Sequence, residues 1–547
     1  MKNRKTALTA VLTLVLSVTA LTGCGQTTGA GGTPSPNAGN VSQSPSPSQS
    51  NPIPENLTLT WYQQNHASSE LNNMGDIKGI QAIEEATGIQ MTFQHPATGT
   101  NGNEQLNLII ASNQLPDIIL WDWASMPGGI SKYISSKTVI PVDALAAEYA
   151  PHYIAALEKY PEVKKASMLD DGTLPGFYGL DPDPKRTSYQ GFVLRGDWLE
   201  KLSLDVPVTI EDWHTVLTAF KTGDPNGNQQ ADEIPFSQTK GTSYASFSGA
   251  FGILNGMYRD PAGGKVKYGP VEEGYKQFIA TLAQWYNEGL IDPDFATNDS
   301  NAFSAKLQGN LAGSSFITVG GGIGNNTKAA RANNPDFLLE PVAAPLASDG
   351  KSYATTVNAV QKTTGLAVIT SSCKYPEAAA AFMDYAYSEE GHTLINFGIE
   401  SESYTLENGK AVFTQEILNN PQGKTPVNAA YTYALPITGW AKIMDYDAYS
   451  QINLILDEQK RSAEVWSKAD NSLVITNAIQ YTTDESSELS RIMSDINTYV
   501  AQEELKFILG AEPLGNLDSF VEKIKAMNID RAIEINQAAL DRFESRN

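Results

Sequence analysis

Leu115-Pro116-Asp117-Ile118-Ile119-Leu120 is a nearly continuous apolar run interrupted only by a turn-forming Pro-Asp pair. A strand buried on both faces has this composition, whereas a strand with one wet face alternates. Upstream, Leu57, Leu59 and Trp61 alternate with threonines, a helical stretch ends at Glu85-Ala86-Thr87-Gly88, and Ile89, Met91 and Phe93 alternate again. That is a strand-helix-strand opening. Gln105 to Ser112 reads as a further helix leading into the apolar run, so the expected sheet is mostly parallel. Downstream, Tyr275, Phe278, Ile279, Leu282, Tyr286 and Leu290 share one 3.6-period face that stops at Gly289 and Pro293. Pro376 opens another helix through Ala379, Phe382, Met383 and Tyr387, with Gly391 as its expected stop. Alternation of this kind defines an α/β protein.

The amino terminus carries a different signal. Lys2, Arg4 and Lys5 precede an apolar run, Ala7 to Leu21, that is short for a membrane span. Leu21-Thr22-Gly23-Cys24 closes it and resembles the lipobox of bacterial lipoproteins. The resemblance implies a signal peptide over residues 1–23, cleavage before Cys24, and acyl chains (palmitate among them) on that cysteine. They would anchor the chain to the extracellular face of the cytoplasmic membrane. An ordinary secretory signal with an incidental cysteine is the alternative. Cys373 is the only other cysteine, so no disulfide framework claims Cys24. Residues 24–55 are mostly Gly, Ser, Thr, Pro, Asn and Gln and read as a flexible tether.

The remaining body has no second apolar run of spanning length. The whole chain has a formal net charge of −23. Such acidity argues against nucleic acid or any extended polyanion as a partner, unless basic residues cluster locally. Catalytic signals are thin. His66, His95, His152, His214 and His392 are scattered outside any zinc pattern, and neither a Gly-x-Ser-x-Gly elbow nor a phosphate-binding loop occurs.

Several blocks together resemble the extracellular solute-binding proteins of sugar-type ABC importers, in the large lipoprotein branch that includes oligosaccharide binders. They are Leu115 to Ile119, Arg195-Gly196-Asp197-Trp198-Leu199-Glu200-Lys201-Leu202 and Val206-Pro207-Val208-Thr209. Tyr286-Asn287-Glu288-Gly289-Leu290-Ile291-Asp292-Pro293 and Pro376-Glu377-Ala378-Ala379 through Gly391 follow. The resemblance implies a two-lobed, periplasmic-binding-protein-like (type II) fold with discontinuous lobes and a hinge. Lobe 1 is expected over 56–185 and 363–425, lobe 2 over 186–362 and 426–547. It also implies a non-enzymatic monomer that captures an oligosaccharide between the lobes and delivers it to the permease subunits, with a separate ATPase supplying energy. A surface-anchored glycoside hydrolase or lyase, or a binder of a non-sugar solute, are the alternatives.

Sugar rings need aromatic faces and polar neighbours, and open α/β sheets bind ligands at the carboxyl ends of their strands. Trp61 and Tyr62 after the first strand, and Trp121, Asp122 and Trp123 after the buried one, are therefore ligand-binding candidates, with Tyr431, Tyr433 and Trp440 from the other lobe. Core packing is the alternative for each. Trp198, Trp213 and Trp285 lie in amphipathic helices and are assigned to the core. Separately, Asp224, Asn226, Asn228, Gln230, Asp232 and Glu233 follow the spacing of a calcium loop, with Gln230 offering its carbonyl. The loop departs from an EF-hand at Gln229, where glycine is usual, and at Pro235, where a bidentate glutamate is usual. The expected ion is structural, and a metal-free polar turn is the alternative.

Overall fold

The structure, a computed structural model, describes residue 54, residues 56–65, 71–240, 244–355, 361–437 and 439–546. Cys24, the signal segment and nearly all of the tether lie outside these residues. Among the described residues no helix is long and apolar enough to cross a membrane.

The first sheet is built from β1 (Thr58–Gln63), β2 (Gln90–Gln94), β3 (Ile118–Trp121), β4 (Val139–Ile140) and β5 (Phe177–Asp181), together with the long strand Gln361–Thr370. β1 is central and parallel to both neighbours, with Trp61 beside Phe93 on one side and Ile118 on the other. Asp117 locks the start of β3 to β1: its carboxylate accepts from the Thr60 backbone N–H (2.8 Å) and hydroxyl (2.7 Å), while its own N–H donates to Thr60 Oγ1 at 2.9 Å. The expectation of a mostly parallel sheet holds only for this half. Gln361–Thr370 runs antiparallel to β3, β4 and β5, with a register shift between Lys362 and Leu366. A fully buried strand has an apolar sequence in either direction, so composition does not reveal polarity.

The helix Lys78–Thr87 ends at Gly88, whose φ of 68° closes it in the left-handed region as its sequence predicts. Gly391 behaves differently from expectation. The helix from Pro376 stops at Tyr385, and Gly391 lies inside the next helix, Glu389–Phe397, where a Cβ would meet the Tyr385 carbonyl at 1.8 Å. It is a point of close approach, not a stop.

The second sheet is antiparallel, with β6 (Gln190–Arg195) between the strands Leu339–Val342 and Ser314–Thr318. Its core buries Trp198, Trp213 and Trp285, as expected, with Phe192, Phe247 and Phe278. The first core draws on residues 57–180 and 366–441, and the second on 192–353 and 473–532. The chain thus passes between them three times. The boundary expected after residue 425 places Tyr431, Leu435, Trp440 and Ala441 in the second lobe, yet these four side chains pack in the first core.

Candidate functional site

At the carboxyl edge of β1 and β3 lies a cavity of about 580 Å³. Gln63, Gln64 and Asn65 enter it from the end of β1, and Trp121, Asp122 and Ser125 from the end of β3. Asn101, Gly102 and Asn103 reach it from the start of the helix Gly102–Ser112, and Thr363, Thr364 and Gly365 from the long strand. Apart from Asp122 these polar groups are neutral amides and hydroxyls, able both to donate and to accept. Trp121 is positioned rigidly: its ring stacks on Tyr62 (5.7 Å, 22° between planes) and its Nε1 donates to Asn103 Oδ1 at 2.8 Å. Gly102 lets the helix approach that ring, since a Cβ there would stand 2.8 Å from it.

A second, smaller cavity of about 200 Å³ adjoins the first at Thr364. Trp123, Tyr178 and Lys362 line one side, and Gln480 and Tyr481 the other. Burial pushes the Lys362 ammonium down to about 8, and pushes the Tyr481 phenol up to about 12. A third cavity, of about 180 Å³, lies on the second sheet against Phe192, Phe316, Tyr353 and Trp466 and is mostly apolar. It offers a polyhydroxylated ligand few hydrogen bonds, unlike the amide-lined edge.

The eight ligand-binding candidates fare unequally. Trp121 and Asp122 line the main cavity, and Trp123 the smaller one. Trp123 is otherwise buried, edge-on to Tyr133 at 5.1 Å and donating Nε1 to the Leu366 carbonyl at 3.1 Å. Trp61 has no exposed surface; it stacks on Trp440 at 5.0 Å and touches Phe93 and Phe382. Trp440 is equally buried and donates to Gln63 Oε1 at 3.2 Å, supporting the site from behind. Tyr62 lies beneath Trp121, and Tyr431 is buried in the first core. Tyr433 sits at the start of the helix Lys78–Thr87, where Lys78 Nζ is 4.8 Å from its ring centre and its carbonyl accepts from Gly79 N. The reason is one of register. β1 extends to Gln63, so Trp61 and Tyr62 lie within a central strand covered on both faces. The cavity residues that sequence reasoning missed, Asn101, Asn103, Ser125, Thr363, Thr364 and Lys362, are polar residues at one helix start, in a turn and at one strand start. The only signal they carried was their closeness in sequence to strand ends.

The loop Asp224–Glu233 folds as a tight polar turn after the helix Ile210–Thr222. Asp224, Gly227 and Gln229 have φ of 46°, 75° and 61°, so Gln229 adopts the left-handed conformation that glycine usually supplies. Asp224 accepts from Gln229 N, and Asn228 Oδ1 from Gln230 N at 2.7 Å. The amides of Asn226 and Asn228 donate to Asp232 at 2.9 and 3.0 Å, standing where a cation would face that carboxylate. Among the described residues no group of three or more His, Cys, Asp or Glu side chains is arranged to hold a metal ion. Glu233 Oε1 is nevertheless buried without a hydrogen-bond partner, and burial, with Asp232 and Asp224 adding to it, raises that carboxyl's pKa. An orphaned buried carboxylate oxygen beside two more carboxylates fits a hard cation, and an amide turned over presents oxygen instead of nitrogen.

Comparison with known proteins agrees with this architecture. The fructooligosaccharide ABC transporter substrate-binding protein FusA of Streptococcus pneumoniae is 25% identical over 485 residues, 85% of this chain and 87% of its own. Among solved structures, the alginate-binding protein AlgQ2 without calcium ion has a TM-score of 0.65 at 25% identity, covering 89% of this chain and 98% of that one. An EF-hand mutant of S. pneumoniae FusA in complex with fructo-nystose has a TM-score of 0.66 at 22% identity, covering 90% and 100%. The fold is periplasmic-binding-protein-like, with two α/β lobes. A family profile for the bacterial extracellular solute-binding proteins matches residues 76–393, more than half of the chain, and the protein belongs to that family.

Proposed function

We propose that this protein captures an oligosaccharide at the carboxyl edge of its first sheet and delivers it to an ABC importer without altering it. The observation that carries the reading is the cavity of about 580 Å³ walled by amides and hydroxyls around Trp121. Sugar hydroxyls donate and accept, as amides do, and C–H faces pack on an indole. The named ligands of FusA and AlgQ2, a fructooligosaccharide and alginate, are saccharides too. The three chain passages between the cores form the hinge about which the lobes close on the ligand. A thermal-shift screen against oligosaccharides tests this, because a ligand held only by the folded state raises the melting temperature by mass action. No shift with any saccharide, or release of new reducing ends in proportion to protein, refutes it.

Two further assignments belong to this reading. Asp224, Asn226, Asn228, Asp232 and Glu233 side chains and the Gln230 carbonyl would hold one structural calcium, whose role is to join the helix before the loop to the segment after it. Cys24 would carry the lipid that keeps the protein at the outer face of the membrane. Cys24→Ser should abolish labelling by radioactive palmitate while the body still folds. Equal labelling of the variant removes Cys24 from this role.

A further inference from the structure

The charge carried by the ligand can be argued from Lys362. Its side chain lines the smaller cavity, with Nζ 4.3 Å from the centre of the Tyr178 ring. Among the described residues that ammonium makes no hydrogen bond and no salt bridge, and the residue is only partly exposed, on the cavity wall. A half-buried cation that meets only an aromatic face lacks the anionic partner that such charges ordinarily find. Nearby charges do not supply it. Asp122 acts on it only through space and already caps Ala124 N at 3.1 Å, while Arg546 repels it and is engaged by Asp170 at 2.6 Å. The cavity is bounded on one side by the first core and on the other by residues 477–486, which lead into the second, and it adjoins the neutral, amide-lined cavity at Thr364.

Resting on the saccharide reading above, we infer that the ligand is an acidic oligosaccharide: one carboxylate pairs with Lys362 Nζ while neutral hydroxyl-bearing rings fill the amide-lined cavity. One cation suits one carboxylate and not a polyanion, in keeping with a chain of net charge −23. Pairing across this cavity would also neutralise the charge that the closing lobes must otherwise desolvate.

The test compares trisaccharides that carry a single galacturonate, glucuronate or mannuronate ring beside two neutral rings with the wholly neutral trisaccharide of each linkage, by calorimetry on the full chain. At least one uronate-bearing trimer should bind roughly tenfold or more tighter than its neutral counterpart. Lys362→Met should erase that preference and Lys362→Arg should keep most of it. If Lys362→Met fails to fold, the wild type still decides. Burial raises the phenols of Tyr178 and Tyr481 and lowers the Lys362 ammonium to about 8, so Lys362 is the group lining this cavity that loses charge as pH rises from about 7 to about 9.5. Uronate affinity should fall across that range while neutral affinity stays level. Neutral trimers binding as well as or better than uronates, or a uronate affinity that ignores pH and Lys362→Met, overturns the inference and leaves the saccharide reading standing. Binding of neither class sinks both.

Discussion

Gly102→Ala adds a single methyl group to the wall of the amide-lined cavity. The added methyl would stand 2.5 Å from Gln64 Nε2 and 2.8 Å from the Trp121 ring, where ordinary contact begins near 3.4 Å. Gln64 must therefore yield by about 0.9 Å and Trp121 by about 0.6 Å. Gln64 is exposed and moves cheaply. Trp121 does not, because Tyr62 supports its face and Asn103 holds its Nε1. Overpacking of this kind costs about 1–3 kcal/mol, offset by about 0.5–1 kcal/mol from replacing glycine in a helix. Net stability should fall by at most about 2.5 kcal/mol. Affinity should suffer more visibly. Displacing one hydrogen-bonding amide and tilting one ring against the ligand removes on the order of 1.5–3 kcal/mol, a loss of ten- to a hundredfold. Calorimetric titration of the saccharide found in the screen, with a melting curve of the empty variant beside it, measures both. A folded variant that binds within twofold of wild type shows that neither Gln64 nor Trp121 touches the ligand, and the site lies elsewhere.

Trp123→Ala should destabilise the body by about 3–5 kcal/mol, since it empties a core position beside Tyr133 and strips the Leu366 carbonyl of its donor; a melting temperature unchanged in the empty protein would contradict this. Chelation should lower the melting temperature, with calcium restoring it better than magnesium and Asp224→Ala/Asp232→Ala indifferent to both; a curve unmoved by chelator, with no calcium found by metal analysis, would leave the loop a plain turn. Burial raises the carboxyl of Glu504, although Asn255 and Tyr275 donate to it. Its contribution to stability is therefore complete below the unfolded-state glutamate pKa and is lost as pH rises through the folded value. Glu504→Gln should thus melt higher than wild type near pH 7, and the gap should close on acidification; a gap that is constant with pH would show that the carboxyl's charge is not the cause.

Periodicity made the parallel half of the first sheet, the helix ending at Gly88 and the three buried tryptophans of the second core legible. It reports burial, and burial is what those elements share. It does not report partners. Gln361–Thr370 enters the first sheet only after the chain has built most of the second core, and no local pattern specifies that return or its direction. The same limit put Tyr431 and Trp440 in the wrong lobe. For the candidate site the residues divide: Trp121, Asp122 and Trp123 line cavities, whereas β1 runs on to Gln63, which makes Trp61 and Tyr62 core and leaves the amides of Gln63 and Gln64 to face the cavity. In the Asp224–Glu233 loop the chemistry was local, so spacing alone located the turn.

The insertion of Gln361–Thr370 beside β3 also governs how the chain acquires its structure. β3 ends at Trp121, and the strand that covers its open edge begins 240 positions later. Until that segment emerges, β3, β4 and β5 all lack the same neighbour, and the amino-terminal region cannot close its core. Closure of the first sheet is therefore a late event in folding, set by long-range pairing that cannot begin until the segment up to Thr370 is available.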